Sequence, residues 1–290
     1  MKVAIVGLGL IGGSLALDLK ERGWARQRVG VEFNSGHAEK ALELGLVDSV
    51  ETLEKSLKGA DLVVLAVPVG AIRILLPEVL SLVEGGTTVT DMGSTKASIC
   101  QAVDSHPKRE QFVASHPMAG TENSGPMAAL EGLFDKKTAV LCERERSASR
   151  HLARVEEFYG VLGMRLVSMS AEEHDLHAAY ISHLSHISSF VLANTVLAQE
   201  KNTRAIFDLA GGGFESTVRL AKSSPEMWAP IFEENRSNVV AALEAYISEL
   251  QEFRRTLIEE KIHETRKLME DATRIRPVLA SIGTRARNPK

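Results

Sequence analysis

Three glycines at fixed spacing, Gly7-Leu8-Gly9-Leu10-Ile11-Gly12, follow the apolar run Val3–Val6 and open a helical pattern that extends to Arg22. This context constrains the fold more than any other feature. Strand, tight turn and helix must succeed one another within a few residues, and each glycine has a separate task. Gly7 allows the turn, Gly9 lets a pyrophosphate reach the backbone, and Gly12 lets the helix approach the strand. The helix start offers unpaired N–H groups and a partial positive charge to phosphate, with Leu10 and Ile11 in its first turn. A second apolar run, Val29–Val31, ends on Glu32, twenty residues after Gly12. A carboxylate there can hold both ribose hydroxyls of a dinucleotide and would repel a 2′-phosphate. Neither Arg nor Lys occurs between Phe33 and Ala38. The pattern therefore predicts NAD rather than NADP as cofactor. Val67 and Pro68, after the run beginning at Leu62, suit a strand end passing beneath the nicotinamide.

Further apolar runs at Leu62–Val67, Thr87–Thr90, Phe112–Ala114 and Thr138–Leu141 alternate with helix-like stretches such as Ala71–Val83 and Lys96–Val103. Runs that are apolar on both faces suit parallel strands covered by helices. The alternation predicts an α/β, Rossmann-type doubly wound sheet over residues 1–168. Beyond Ser168 the strand runs stop. Ser170-Ala171-Glu172-Glu173 has capping-box spacing, Gly211-Gly212-Gly213 interrupts a long helical pattern, and Ser224-Pro225 opens another helix. Residues 169–290 are thus expected to form an all-helical domain, with a loose tail from Gly283. Its positions Val240, Leu243, Ile247, Leu250 and Leu257 follow heptad-like spacing. A small helical domain cannot bury every apolar stripe alone, so this one is expected to join a homodimer.

Composition excludes several classes. The balance of 34 Lys+Arg against 38 Asp+Glu, a net charge of −4, gives no basic surface for nucleic acid. The longest apolar run, Leu62 to Ile72, falls short of the roughly 20 residues that a membrane span needs. Met1-Lys2-Val3-Ala4 runs into the glycine loop without a signal-peptide cleavage site. Two cysteines, Cys100 and Cys142, cannot build a disulfide framework and fit a reducing, cytoplasmic setting.

Substrate chemistry must come from polar groups beyond the strand ends. Asp91-Met92-Gly93-Ser94-Thr95-Lys96 follows one strand, and Ser115-His116-Pro117-Met118-Ala119-Gly120-Thr121-Glu122 is expected as a loop after another. His116, a natural base near neutral pH, is the leading catalytic candidate. On one straight helix His174 and His177 project away from His183 and His186, so no metal site is expected from the four.

Together these segments resemble the prephenate dehydrogenases and the related arogenate dehydrogenases. The likeness covers the glycine loop, Asp91–Lys96 and His116-Pro117-Met118-Ala119-Gly120-Thr121-Glu122-Asn123-Ser124-Gly125. It continues through His174-Asp175, Ser182-His183-Leu184-Ser185-His186, Gly211-Gly212-Gly213-Phe214 with Arg219, Ala221 and Lys222, and Met227-Trp228. Ser185 stands where that family usually has proline. The resemblance implies oxidative decarboxylation of prephenate by NAD+, with His116 accepting the C4 hydroxyl proton and Ser94 bonding that hydroxyl or His116 to fix the geometry. It assigns Arg219 to a substrate carboxylate, His186 to the pyruvyl end, His183 to the same wall, and Thr121, Glu122 and Trp228 to the pocket or its gate. A donor at His186 would favour the keto acid prephenate over the ammonium-bearing arogenate. Competing functions are arogenate oxidation, a 3-hydroxyacid dehydrogenase with a central lysine, and a non-catalytic NAD(H) sensor.

Overall fold

The apolar runs become strands β1 (Lys2–Val6), β2 (Gln27–Val31), β3 (Ser49–Val50), β4 (Leu62–Leu65), β5 (Thr88–Asp91), β6 (Phe112–Pro117), β7 (Thr138–Cys142) and β8 (Arg165–Met169). The computed structural model describes residues 1–201 and 206–287. Within them these strands form one sheet ordered β3-β2-β1-β4-β5-β6-β7-β8. β1 to β6 run parallel; β7 is antiparallel to β6, and β8 is parallel to β7. Helices α1 (Leu10–Glu21), α2 (Ser35–Glu43), α3 (Leu53–Leu57), α4 (Val69–Leu82), α5 (Ala97–Ala102) and α6 (Ser149–Val161) connect the strands.

Strand residues alternate between two cores, as the period of two requires. Val3, Ile5, Leu62 and Val64 pack with Leu15 and Leu19 of α1 and with Val155, Phe158 and Tyr159 of α6. Ala4, Val6, Val63 and Leu65 pack on the other face with Ile72 and Leu76 of α4 and Ile99 of α5. Both faces are covered, which is why the runs read as continuously apolar. Strand order reverses at β1, and this is the topological position where such sheets bind nucleotides.

Three features differ from the sequence expectation. β3 has two residues and β8 is half-exposed at a sheet edge, so neither shows as an apolar run. β6 extends through Pro117, with His116 opposite Val140 of β7, so His116 stands on a strand rather than in a loop. The antiparallel partner supplies the ladder that keeps Ser115 and His116 extended, and no local pattern announces a partner 24 residues away.

After Met169 the chain is helical: α7 (Ala171–Ala178), a π-helical turn (Ala179–His183), α8 (Leu184–Glu200), α9 (Gly212–Val218), α10 (Pro225–Glu234), α11 (Arg236–Ile258), α12 (Ile262–Ala272) and α13 (Arg276–Arg287). The capping box at Ser170 forms: its hydroxyl accepts the Glu173 N–H at 3.1 Å, and Glu173 accepts the Ser170 N–H at 2.9 Å. Two compact units result, Met1–Arg236 and Ser237–Lys290. In the second, Arg255 of α11 pairs with Glu259 and with Glu264 of α12, at 2.6 and 2.8 Å. Leu250, Leu257, Ile262 and Met269 remain exposed there. The expected tail is helical as far as Arg287; residues 288–290 lie outside the described part. No helix among the described residues is long and apolar enough to cross a membrane.

Candidate active site

The glycine loop leaves β1 at Gly7, whose φ of +95° is a conformation that side chains resist. A Cβ on Gly7 would also lie 2.6 Å from the Ala66 carbonyl oxygen, and one on Gly12 would lie 1.9 Å from that of Gly7. Over Gly9 a Cβ would meet nothing within 4 Å. The loop is thus closed where strand and helix meet and open at the glycine assigned to phosphate. α1 starts at Leu10 without a side-chain cap, leaving its first N–H groups for an anion. Glu32, at the end of β2, accepts the Leu8 N–H at 3.0 Å and the Asn34 N–H at 3.0 Å. It therefore fixes the loop and still has lone pairs for a ribose. Val67 lies against Gly7, and Pro68 starts α4 beside it. These residues fit a dinucleotide.

The reactive end is built on β6. Alternation sends Ser115 and His116 to opposite faces. Ser115 Oγ is 2.6 Å from the Tyr159 hydroxyl, while His116 Nδ1 is 2.8 Å from His174 Nε2. His174 Nδ1 lies 2.8 Å from Asp175 Oδ1. Asp175 also accepts the Lys96 N–H at 2.7 Å and the Ala97 N–H at 2.9 Å. The Lys96 ammonium is buried, ion-paired with Asp91, and donates to the Ser115 carbonyl at 2.7 Å. Burial holds the His116 pKa well below the ordinary imidazole value, and the neighbouring His174, Lys96 and His183 add to the effect. The ring is neutral at pH 7, as a base must be.

His116 opens on a cavity of about 370 Å³ whose walls include Leu10, Ile11, Ser94, Thr121, Glu122, His186, Arg219 and Trp228. That volume suits a small ligand. Of the residues assigned to the substrate, one is absent from the walls. His183 is buried behind Trp228, their ring centroids 5.8 Å apart, and its Nδ1 accepts from Asn235 at 3.2 Å. Burial lowers its pKa to about 4. The π turn contributes to this placement, because it adds a residue to the helical turn and breaks the straight-helix projection.

Two wall residues behave differently from the sequence expectation. Arg219 is not a free clamp: it pairs with Glu122 at 2.9 Å. Glu122's own backbone N–H, and then Arg219, hold that carboxyl below its usual range. His186 stacks on Trp228 and donates Nδ1–H to the Ser182 carbonyl at 3.0 Å. Burial, aided by Arg219, lowers its pKa. The neutral ring therefore keeps Nε2 as an acceptor, and the expected donor is present only when the ring is protonated. The functional partners missing from the sequence assignment are Asp91, Lys96, His174, Asp175 and Asn235. The His174-Asp175 pair was visible as a motif, but its role depends on a strand 58 residues away.

Two family models match the chain: "Prephenate dehydrogenase, nucleotide-binding domain" over residues 15–168 and "Prephenate dehydrogenase, dimerization domain" over 170–271. A prephenate dehydrogenase of Bacillus subtilis is 32% identical over 262 residues, spanning 89% of this chain and 70% of the relative. Among solved structures, the prephenate dehydrogenase of Aquifex aeolicus in complex with hydroxyphenyl propionate and NAD+ superposes with a TM-score of 0.87. It is 31% identical, covering 96% of this chain and 97% of that one. An arogenate dehydrogenase of Synechocystis gives 0.74 at 28% identity, covering 96% and 100%.

Proposed function

The chain belongs to the prephenate dehydrogenase family, and we propose that it oxidises prephenate with NAD+, releasing CO2 and 4-hydroxyphenylpyruvate. The observation that carries this reading is the neutral His116 on the wall of a cavity flanked by the helix start at Leu10 and by Arg219. Bound NAD+ supplies the hydride acceptor, held by Gly7, Gly9, Leu10, Ile11, Gly12, Glu32, Val67 and Pro68. His116 takes the C4 hydroxyl proton as hydride leaves C4. Ser94 hydrogen-bonds that hydroxyl and fixes its angle. Arg219 receives a substrate carboxylate in exchange for Glu122, using a guanidinium fork suited to that shape. Thr121 and Trp228 close the walls, and His183 braces Trp228 from behind. Aromatisation then drives the loss of CO2, so a placed base and a placed acceptor suffice.

Residues 1–168 are assigned to the dinucleotide and 169–290 to the substrate wall and a homodimer. The exposed apolar residues of α11 and α12 support the dimer, and the two free, buried cysteines support a cytoplasmic enzyme. Arogenate is a second substrate, favoured by one observation: neutral His186 presents an acceptor, which suits an ammonium. The test is NADH formation with prephenate, arogenate and 3-hydroxy acids, in wild type and in His116→Asn. Turnover of prephenate that falls by about 10²–10⁴ in the variant, with NAD+ binding kept, supports the mechanism. An unchanged kcat in the variant overturns the role of His116. Tight NAD+ binding without turnover of any of these substrates would leave the sensor reading instead.

A further inference from the structure

His116 is one end of a buried chain of hydrogen bonds whose direction is set at the other end. Asp175 accepts backbone N–H groups on both carboxylate oxygens, from Lys96 and Ala97. An ionised carboxylate only accepts. The contact of His174 Nδ1 with Asp175 Oδ1 at 2.8 Å therefore requires the proton on Nδ1. With its Nδ1 proton given to Asp175, His174 has Nε2 left to accept, and the 2.8 Å contact then has His116 donating from Nδ1. What remains on His116 is Nε2, with its lone pair. His174 and Asp175 are both buried, so water does not offer either of them another partner.

We propose that His174 and Asp175 are positioning residues that hold His116 in the one tautomer able to act as a base. The proposal rests on the reading of His116 as that base. An imidazole without such a partner favours the opposite tautomer, with the proton on Nε2, and the tautomer present follows the bond made by the other nitrogen. A proton on Nε2 would turn the nitrogen that the chain leaves free into a donor. When the chain is intact, the C4 O–H bond breaks, its proton forms a new N–H bond at His116 Nε2, its electron pair forms the C4=O bond, and the C4 hydrogen would leave with its own pair as hydride to the NAD+ that the glycine loop would hold. The two N–H bonds of the chain do not break. The resulting imidazolium is stabilised through His174 by Asp175, whose carboxylate has no Lys or Arg side-chain partner among the described residues. The other charged or titratable groups around His116 are Lys96, from the segment between β5 and α5, and His183, from the π turn. The Lys96 ammonium is already matched by Asp91.

The chain also joins three elements. β6 carries His116, α7 carries His174 and Asp175, and the N–H groups at the start of α5 hold the carboxylate. α7 is placed by its own capping box at Ser170, so the distance from Asp175 to His116 is set by helix and sheet rather than by loop conformation.

The test combines a spectroscopic and a kinetic measurement. In wild type at pH 7, ¹⁵N shifts of the His116 ring are expected to show the proton on Nδ1 and a bare Nε2. A proton found on Nε2 overturns the proposal without any variant. In His174→Phe, kcat should fall by about a hundredfold while KM for prephenate and for NAD+ changes little, because geometry and binding survive and only the base is masked. His174→Gln, whose amide oxygen can accept from Nδ1, should recover at least about tenfold of that loss. Equal kcat in wild type and His174→Phe, with His116→Asn inactive, refutes the positioning role and leaves the base intact. Full kcat in His116→Asn refutes the base itself.

Discussion

Replacing Lys96 by methionine keeps the length of the side chain and removes its charge from a site with no solvent. Lys96 and Asp91 are both 0% exposed. In the variant, Asp91 retains N–H donors from Gly93 at 2.9 Å and Ser115 at 3.1 Å but loses its cation. The Ser115 carbonyl loses a donor at 2.7 Å. Removing one partner of a buried pair costs about 3–5 kcal/mol, which lowers Tm by on the order of 10 °C. The double variant Lys96→Met/Asp91→Asn should regain more than half of that loss, because the orphaned charge is gone. A second effect separates charge from packing. The Lys96 ammonium helps, after burial and His174, to hold the His116 pKa down. Its loss raises that pKa, so the acid limb of kcat/KM moves to higher pH. The Lys96 backbone N–H still binds Asp175, so the plateau rate at high pH stays within a few-fold of wild type. Thermal unfolding followed by circular dichroism and kcat/KM against pH measure both effects. An unchanged Tm together with an unmoved acid limb would refute the reasoning.

kcat/KM is expected to favour NAD+ over NADP+, and Glu32→Gln should narrow the gap; equal use of both cofactors by the wild type would remove Glu32 from cofactor choice. The ratio of kcat/KM for prephenate to that for arogenate should rise as pH falls, because protonation of His186, whose pKa is lowered, converts an acceptor into a donor. A flat ratio, or one unaltered by His186→Ala, excludes that residue as the selector. His151 and His183 are buried with pKa values of about 4, so folded rings stay neutral where unfolded ones take a proton. Their contribution is complete above pH 6.5 and is lost as pH falls towards 4, about 2 kcal/mol each by pH 5. Chemical denaturation at pH 7 and pH 5 checks this, and no loss between them contradicts it. Light scattering should give twice 31.5 kDa; a fully active monomer at micromolar concentration rules out the proposed dimer.

What the amino-acid sequence determined is what neighbours in the chain decide between themselves. The glycine spacing requires a turn, the apolar runs require a sheet covered on both faces, Ser170 and Glu173 require a helix start, and Glu32 follows a strand at a fixed distance. These are contacts over a few residues, and their geometry follows from backbone periodicity. Even the end of the strand region is such a local property, because continuous apolar runs give way after Ser168 to a helical pattern.

Tertiary structure decided everything that depends on which distant residue arrives opposite. His116 became a strand residue because β7 runs antiparallel to β6. Its direction as a base comes from His174, 58 residues on, and from backbone N–H groups 78 and 79 residues from Asp175. Arg219 found its acid in Glu122, 97 residues away. His186 changed from donor to acceptor because Ser182, one turn before it, offers a carbonyl to Nδ1 while Trp228 covers the ring. The polarity of a side chain at a site is set by the partners that desolvate and bond it. Those partners are brought together by packing across the sheet, which no spacing along the chain encodes.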